Sequence, residues 1–307
     1  SPRLQSLLVF LQWLNWPPFD GTNLARPSPA WARRFVRLLS RFLHPEGSSK
    51  WGAFEGLAGA VPFEVQGRSG AVRGLRLPRA APGCNTVLYL HGNAGNVAVQ
   101  HRVELYRLLA SPPLACDVVA IDYAGFGHSD FWWPDESSAV GDALAALEAL
   151  LAECPDGLVV WGHSLGTGIA VGAVARLLHR RGGRLPRGLV LEAPFTSVPA
   201  VAASWCAWLP DPLRCRLEAL LDVVLAAHRM PSLERIRSIS EHMHAEVLHG
   251  EYDAIVPFCH GQRLASAAGV PFHSFARGHE DIVADPRLVH VLEGFFGACN
   301  HRSGGVQ

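Results

Sequence analysis

From Asn85 onward the chain alternates short apolar, often β-branched runs with longer stretches of helical period. The pattern predicts strands at Thr86 to Leu90, Asp117 to Ile121, Leu158 to Trp161, Gly188 to Leu191, Glu246 to Leu248 and Pro271 to Phe275. Each run is near-continuously apolar rather than alternating, as expected of parallel strands buried on both faces. Helices are predicted between them at about Val97 to Ala110, Ser137 to Glu153, Leu165 to Arg181, Cys259 to Ala268 and Pro286 to Ala298. Two weaker runs, Val61 to Gln66 and Val72 to Leu77, predict an antiparallel start to the sheet. The fold class is therefore α/β, a mostly parallel sheet flanked by helices. One interval breaks the rhythm. Ser197 to Ser240 is too long for a loop and reads as helical, with Trp205, Trp208, Leu213, Leu217, Leu220, Leu221 and Val224, which predicts an inserted helical cap. The expected organisation is an N-terminal segment over residues 1–50, one domain over 51–300 with its cap at about 197–240, and a frayed tail over 301–307.

With 49% hydrophobic and 18% charged residues, the 307-residue chain can bury a large core. Lys plus Arg and Asp plus Glu balance at 27 each, so no net field draws the protein to nucleic acid. The seven cysteines form no Cys-x-x-Cys pair, which excludes the usual zinc and thioredoxin-like spacings, and nothing calls for a metal or cofactor. Most read as small buried apolar residues, although Cys206 and Cys215 could pair in an oxidising compartment.

The chemistry starts at Gly162-His163-Ser164-Leu165-Gly166, a Gly-x-Ser-x-Gly pentapeptide between a predicted strand and a predicted apolar helix. In that context the serine sits on a strained turn with its hydroxyl exposed, and the N–H of Leu165 points into the site as an oxyanion donor. A serine hydroxyl needs a base, and the base needs a carboxylate to orient it. Asp253 follows the strand ending at His249-Gly250, and His279 follows the last strand beside Gly278. Of fifteen histidines, His249 and His260 flank the acid, while His290 and His301 lie in or beyond the final helix. His279 is thus the expected base and Ser164 the nucleophile. Asp253 is the expected acid, with Asp281 and Glu251 as rivals; Asp281 is too near His279 in sequence and suits a loop-capping role. The glycine-rich turn His91-Gly92-Asn93-Ala94-Gly95-Asn96 follows the strand ending at Leu90, which makes the Asn93 N–H the second expected donor and His91 a brace for the loop.

Several motifs together carry a family likeness: Tyr89 to Asn96, the run His101-Arg102-Val103-Glu104-Leu105-Tyr106, Asp122 to Ser129, Gly162 to Gly168, and Glu192-Ala193-Pro194-Phe195-Thr196. They resemble the alpha/beta-hydrolase-domain lipases, most closely the lysophosphatidylserine lipase and monoacylglycerol lipase branch, over about Leu11 to Asn300. The resemblance implies an alpha/beta-hydrolase fold and hydrolysis of the acyl ester of a lysophospholipid or monoacylglycerol. It also implies a membrane-spanning helix upstream in family members and residence at the endoplasmic reticulum. The chain departs from the branch at Ser129-Asp130-Phe131-Trp132-Trp133, a bulkier loop than Ser-x-Gly, and it carries no Asn-x-Ser/Thr sequon.

The apolar stretch Leu7 to Leu11 falls well short of the roughly 20 residues a spanning helix needs. Residues 30–43 place Trp31, Phe35, Leu38 and Phe42 at helical spacing among Arg33, Arg34, Arg37 and Arg41. Such a basic amphipathic helix suits a bilayer interface, and equally suits packing against the domain with its arginines solvated. Trp132, Trp133, Trp205 and Trp208 suit core positions singly and an acyl tunnel as a set, so they are the candidate substrate contacts. The expected partners are a lipid acyl ester and a membrane surface. Two other functions fit the same residues: a thioesterase acting on acylated protein cysteines, and a non-catalytic scaffold.

Overall fold

The computed structural model describes residues 57, 59–81, 85–93, 95–130, 135–180 and 184–302. The N-terminal segment 1–50 with its amphipathic stretch, Cys84, and Trp132 and Trp133 lie outside the described residues.

Eight strands form one sheet in the order β1-β2-β4-β3-β5-β6-β7-β8. They are β1 (Val61–Gln66), β2 (Ala71–Leu77), β3 (Thr86–Leu90), β4 (Asp117–Asp122), β5 (Leu158–His163), β6 (Gly188–Glu192), β7 (His244–Gly250) and β8 (Phe272–Phe275). β1 pairs antiparallel with β2 and β2 with β4, and every later pairing is parallel. β1 and β3 begin and end where the hydrophobic pattern predicts. β7 is longer than predicted because its polar residues are paired. Glu246 accepts from His244 at 2.9 Å and from His273 of β8 at 2.8 Å, so a carboxylate can occupy a buried strand.

The chain leaves β3 for β4 on one side and reaches β5 on the other, so the order reverses between β3 and β5. Ligands of open α/β sheets bind in the crevice beyond the strand ends at such a reversal. Ser164 follows β5 there, and the His91 turn follows β3.

Successive residues of β3 enter opposite cores. Leu88 and Leu90 pack with α2 (Glu136–Glu153), α3 (Leu165–Leu178) and α6 (Ser232–Ser240), whereas Val87 and Tyr89 pack with α1 (Gln100–Ala110) and α8 (Arg287–Arg302). An Asp135–Ser138 capping box starts α2. α1 begins three residues later than predicted because the N–H groups of Val97 and Ala98 bond the side chains of Asp122 and Asn96, which holds that stretch as loop.

The interval 197–240 is helical, but the cap is narrower than the sequence suggests. α4 (Val198–Ser204) and α5 (Asp211–Val224) stand over the crevice, while α6 buries Ile236 and Ile239 in the core beside α3 and belongs to the layer flanking the sheet. α7 (Cys259–Ala268) follows β7. Cys206 and Cys215 are both free thiols. Among the described residues no helix is long and apolar enough to cross a membrane.

α3 lies hard against β3: a Cβ at Gly166 would sit 2.0 Å from the Leu90 carbonyl oxygen. Gly166→Ala must push the helix off the strand. It is expected to lower stability by about 1–3 kcal/mol, read as a shift in the midpoint of urea unfolding.

Candidate active site

β5 ends in a turn that puts Ser164 at φ +51°, a left-handed conformation that a side chain adopts only under strain. Two backbone contacts over-determine it. The Ser164 N–H donates to the Glu192 carbonyl at 2.9 Å, and the Ser164 carbonyl accepts from the N–H and hydroxyl of Thr167 at 2.9 and 2.6 Å. The turn lifts the hydroxyl out of the sheet and starts α3 directly after it, so the Leu165 N–H belongs to the first turn of a helix, where donors lack intrahelical partners.

The loops after β7 and β8 bring the other two groups to this point. His279 Nε2 lies 2.9 Å from Ser164 Oγ, and His279 Nδ1 lies 2.7 Å from Asp253 Oδ2. With the Nδ1 proton facing the carboxylate, Nε2 is left to accept from the hydroxyl. The other oxygen, Oδ1, accepts the N–H groups of Ile255 and Val256, each at 2.8 Å. Burial raises the Asp253 carboxyl, but hydrogen bonds from His249 and His279 outweigh it and hold the group below the usual carboxylate range. Neither rival takes this place. Asp281 accepts the Gly278 N–H at 2.6 Å and shapes the loop before His279, and the Glu251 N–H bonds the Phe275 carbonyl.

Two more imidazoles stand beside His279. His163, inside β5, meets the His279 carbonyl through Nε2 at 2.9 Å, and the two rings lie 5.0 Å apart. His101, on α1, packs on His163 at 5.6 Å. Burial and the positive potential of His279 push His163 far down; burial and Arg102 bring His101 to about 3. Both rings are neutral at pH 7.

The turn after β3 crosses over the serine, since a Cβ at Gly92 would lie 3.2 Å from Ser164 Cβ. His91 is fully buried beneath it, its ring 4.5 Å from that of Tyr123, while the Tyr123 hydroxyl donates to the His91 carbonyl at 2.9 Å. Asn93, Ser164 and Leu165 open on a cavity of about 330 Å³. Its remaining walls are apolar: Phe195 after β6, Val198, Val201 and Trp205 of the cap, Leu221, Val224 and Leu225 of α5 and its end, and Ile255 and Val256 beside Asp253. Trp205 joins the wall and donates its indole N–H to the Ile255 carbonyl at 2.8 Å. Trp208 does not join it. It is 80% exposed in the link between α4 and α5, because α4 ends at Ser204 and the chain turns outward.

A family model described as alpha/beta hydrolase fold matches residues 85–211. The chain is 32% identical over 320 residues to the lysophosphatidylserine lipase ABHD12 of Gallus gallus, spanning 98% of this chain and 79% of that protein. The chain belongs to the ABHD12 family of alpha/beta hydrolases. The Danio rerio ABHD12 is also 32% identical, over 97% of this chain and 78% of that protein. Among solved structures, an alpha-beta hydrolase from Vibrio vulnificus superposes with a TM-score of 0.63 over 95% of this chain and 93% of its own, at 17% identity, a likeness of fold. This ABHD12-family chain is accordingly an ester hydrolase.

Three polar residues at the site escaped the sequence reading. Arg102 is 1% exposed and donates to the Asn96 carbonyl at 2.5 Å, which ties the oxyanion-loop candidate to α1. The His101 to Tyr106 run was visible as a motif, but this role was not. His249, in β7, brings its Nε2 to 3.3 Å from Asp253 Oδ2. Glu192, at the end of β6, is buried and accepts the Trp161 indole N–H at 2.9 Å, and burial pushes its carboxyl up to about 7.

Because the folded value of Glu192 exceeds the unfolded one, near 4.5, the folded chain keeps a proton that the unfolded chain releases. Its contribution is complete below about pH 4.5 and is lost as pH rises through about 7. Glu192→Gln, which keeps an oxygen for Trp161, should match the wild-type melting temperature at the acidic end and exceed it above neutrality. Equal melting curves at both ends would show that Glu192 does not titrate in this window.

Proposed function

We propose that this chain is a serine hydrolase that releases the fatty acid from the single acyl ester of a lysophospholipid, lysophosphatidylserine foremost, or of a monoacylglycerol. The observation that carries the reading is the line Ser164–His279–Asp253, with contacts of 2.9 and 2.7 Å, opening on an apolar cavity. Ser164 Oγ attacks the ester carbonyl while His279 Nε2 takes its proton. The Asp253 carboxylate orients the imidazole and offsets its positive charge. The N–H groups of Asn93 and Leu165 stabilise the tetrahedral oxyanion, each donor being worth roughly a hundred- to thousandfold in turnover. His279 then gives its proton to the leaving alcohol, and water, activated by the same base, releases the acid from Ser164.

A lipid ester is favoured over a small polar one by the cavity walls, which suit an acyl chain, and by the family's named lysophosphatidylserine lipases. The cap adds a second support. Trp205, Trp208, Leu213, Leu220, Val223, Val224 and Ile255 are exposed apolar side chains clustered on the cap and at the cavity mouth. Single exposed apolar residues are ordinary; a cluster around a site entrance marks an interaction surface. A membrane surface would cover it and deliver the substrate without diffusion through water, and the endoplasmic reticulum, where the resemblance puts family members, fits that reading.

Ser164→Ala should reduce fatty-acid release from lysophosphatidylserine or monoacylglycerol by on the order of 10⁴-fold or more. Retained turnover would sink the assignment, and faster cleavage of a palmitoyl thioester peptide would move the substrate to acylated protein cysteines. Leu220→Glu with Val223→Glu, neither of which lines the cavity, tests the surface. Turnover of a vesicle-borne lysophospholipid should fall roughly tenfold, the equivalent of one apolar side chain's burial. Turnover of a water-soluble short-chain ester should be unchanged.

A further inference from the structure

We infer that His249 is a positioning residue for the hydrolytic reaction, donating a second imidazole N–H to the carboxylate that orients His279. The inference rests on the Ser164–His279–Asp253 line proposed above.

His249 lies in β7, one residue from its end, and is wholly buried. Its Nε2 is 3.3 Å from Asp253 Oδ2, the same oxygen that meets His279 Nδ1 at 2.7 Å. The same Nε2 is 3.0 Å from the Val256 carbonyl. Nδ1 is buried and has no acceptor among the described residues, so the ring's proton sits on Nε2, which bonds the Val256 carbonyl and faces the carboxylate as the longer of its two contacts. The surroundings are fitted to this ring. A Cβ at Gly261 of α7 would lie 2.4 Å from His249 Nδ1, and Phe258 packs edge-on at 5.6 Å.

Asp253 is thereby surrounded. Two backbone N–H groups meet Oδ1, and two imidazoles meet Oδ2. A carboxylate offers about four lone-pair positions, and here each faces a donor. This matters at the moment His279 becomes an imidazolium. A carboxylate with spare basicity would draw the Nδ1 proton toward itself or rotate, and either would spoil the alignment on Ser164 Oγ. The His249 donor disperses the negative charge and blocks the rotation. It touches neither substrate nor Ser164.

The variants that test this are His249→Gln, whose amide nitrogen can reach the place of Nε2, and His249→Phe, which keeps the ring shape without the donor. Both are compared with wild type and Ser164→Ala, by steady-state kinetics across pH and by the rate of fluorophosphonate labelling at Ser164. His249→Phe should lower kcat about tenfold, the rate equivalent of one hydrogen bond to a charged group, with KM unchanged. With one donor gone, the less dispersed charge of Asp253 binds the imidazolium form of His279 more tightly, so the acid limb of kcat/KM should move to higher pH. His249→Gln should restore both. The other charged and titratable groups around the pair stay the same in these variants: His163, His101, Arg102 and Glu280 on the His279 side, Glu192 at the end of β6, and His260 and Arg263 on α7.

A wild-type kcat and pH profile in His249→Phe would overturn the proposal. Equal losses in the Phe and Gln variants with an unmoved acid limb would also overturn it, by reducing His249 to a brace for the Val256 carbonyl. Should the Phe variant not fold, His249→Asn takes its place, polar but too short to reach Oδ2, with the same outcomes expected. Activity surviving in Ser164→Ala would instead overturn the underlying triad and leave a distinct signature.

Discussion

The left-handed turn at Ser164 is the constraint on which the rest of the site depends. A serine at φ +51° holds that conformation because its neighbours leave it no other. The strand before it is hydrogen-bonded on both sides, its own N–H is taken by the Glu192 carbonyl, and the helix after it is pressed against β3 with no room for a Cβ at Gly166. The strain is local and its cause is distributed over three strands. Once the hydroxyl is fixed, the loops after β3, β7 and β8 need only reach one point, and the reversal of strand order between β3 and β5 opens the crevice there.

The electrostatics around that point follow from burial. Imidazoles crowd the site, yet His163 and His101 are kept neutral by the cost of charging a buried ring near other positive groups. Asp253 is kept charged although its carboxylate is shut away from solvent, because its hydrogen-bond donors supply what water would have supplied. The result is one fixed negative charge beside the His279 ring. Glu192 shows the opposite outcome in the same neighbourhood: a single indole N–H does not compensate burial, and the carboxyl rises to about 7. The number of donors, not depth alone, separates the two carboxyls.

The sheet was legible in the sequence because β3 to β6 are buried on both faces and so read as unbroken apolar runs. The positions of Ser164, Asp253 and His279 were legible because each lies just past the end of a strand the pattern predicts, and the structure brings them into hydrogen-bond contact. Arg102, His249 and Glu192 were not legible, for a shared reason. Each is a polar residue inside an element whose partner is distant in the chain or on a loop with no pattern of its own, and only the assembled fold says whether it is paired. The cap was legible as helical, since its leucines keep a helical period, but periodicity does not tell which neighbour an apolar face meets. That is why α6, which packs into the main core, read the same as α5, which does not.

α5 has no buried residue at all, although Leu213, Leu217, Leu220 and Val224 fall on one side of it. In a helix of a water-facing domain such a stripe is normally covered by the core. Here Leu221 and Val224 turn to the cavity while Leu213 and Leu220 remain exposed, so the helix is a wall between the cavity and the outside rather than a layer of the fold. With no residue buried, that wall is tied to the sheet only lightly. The rigid elbow and the lightly anchored cap thus divide the work. The sheet holds Ser164, His279 and Asp253 to a fixed geometry, and the cap supplies the apolar wall of the cavity above them.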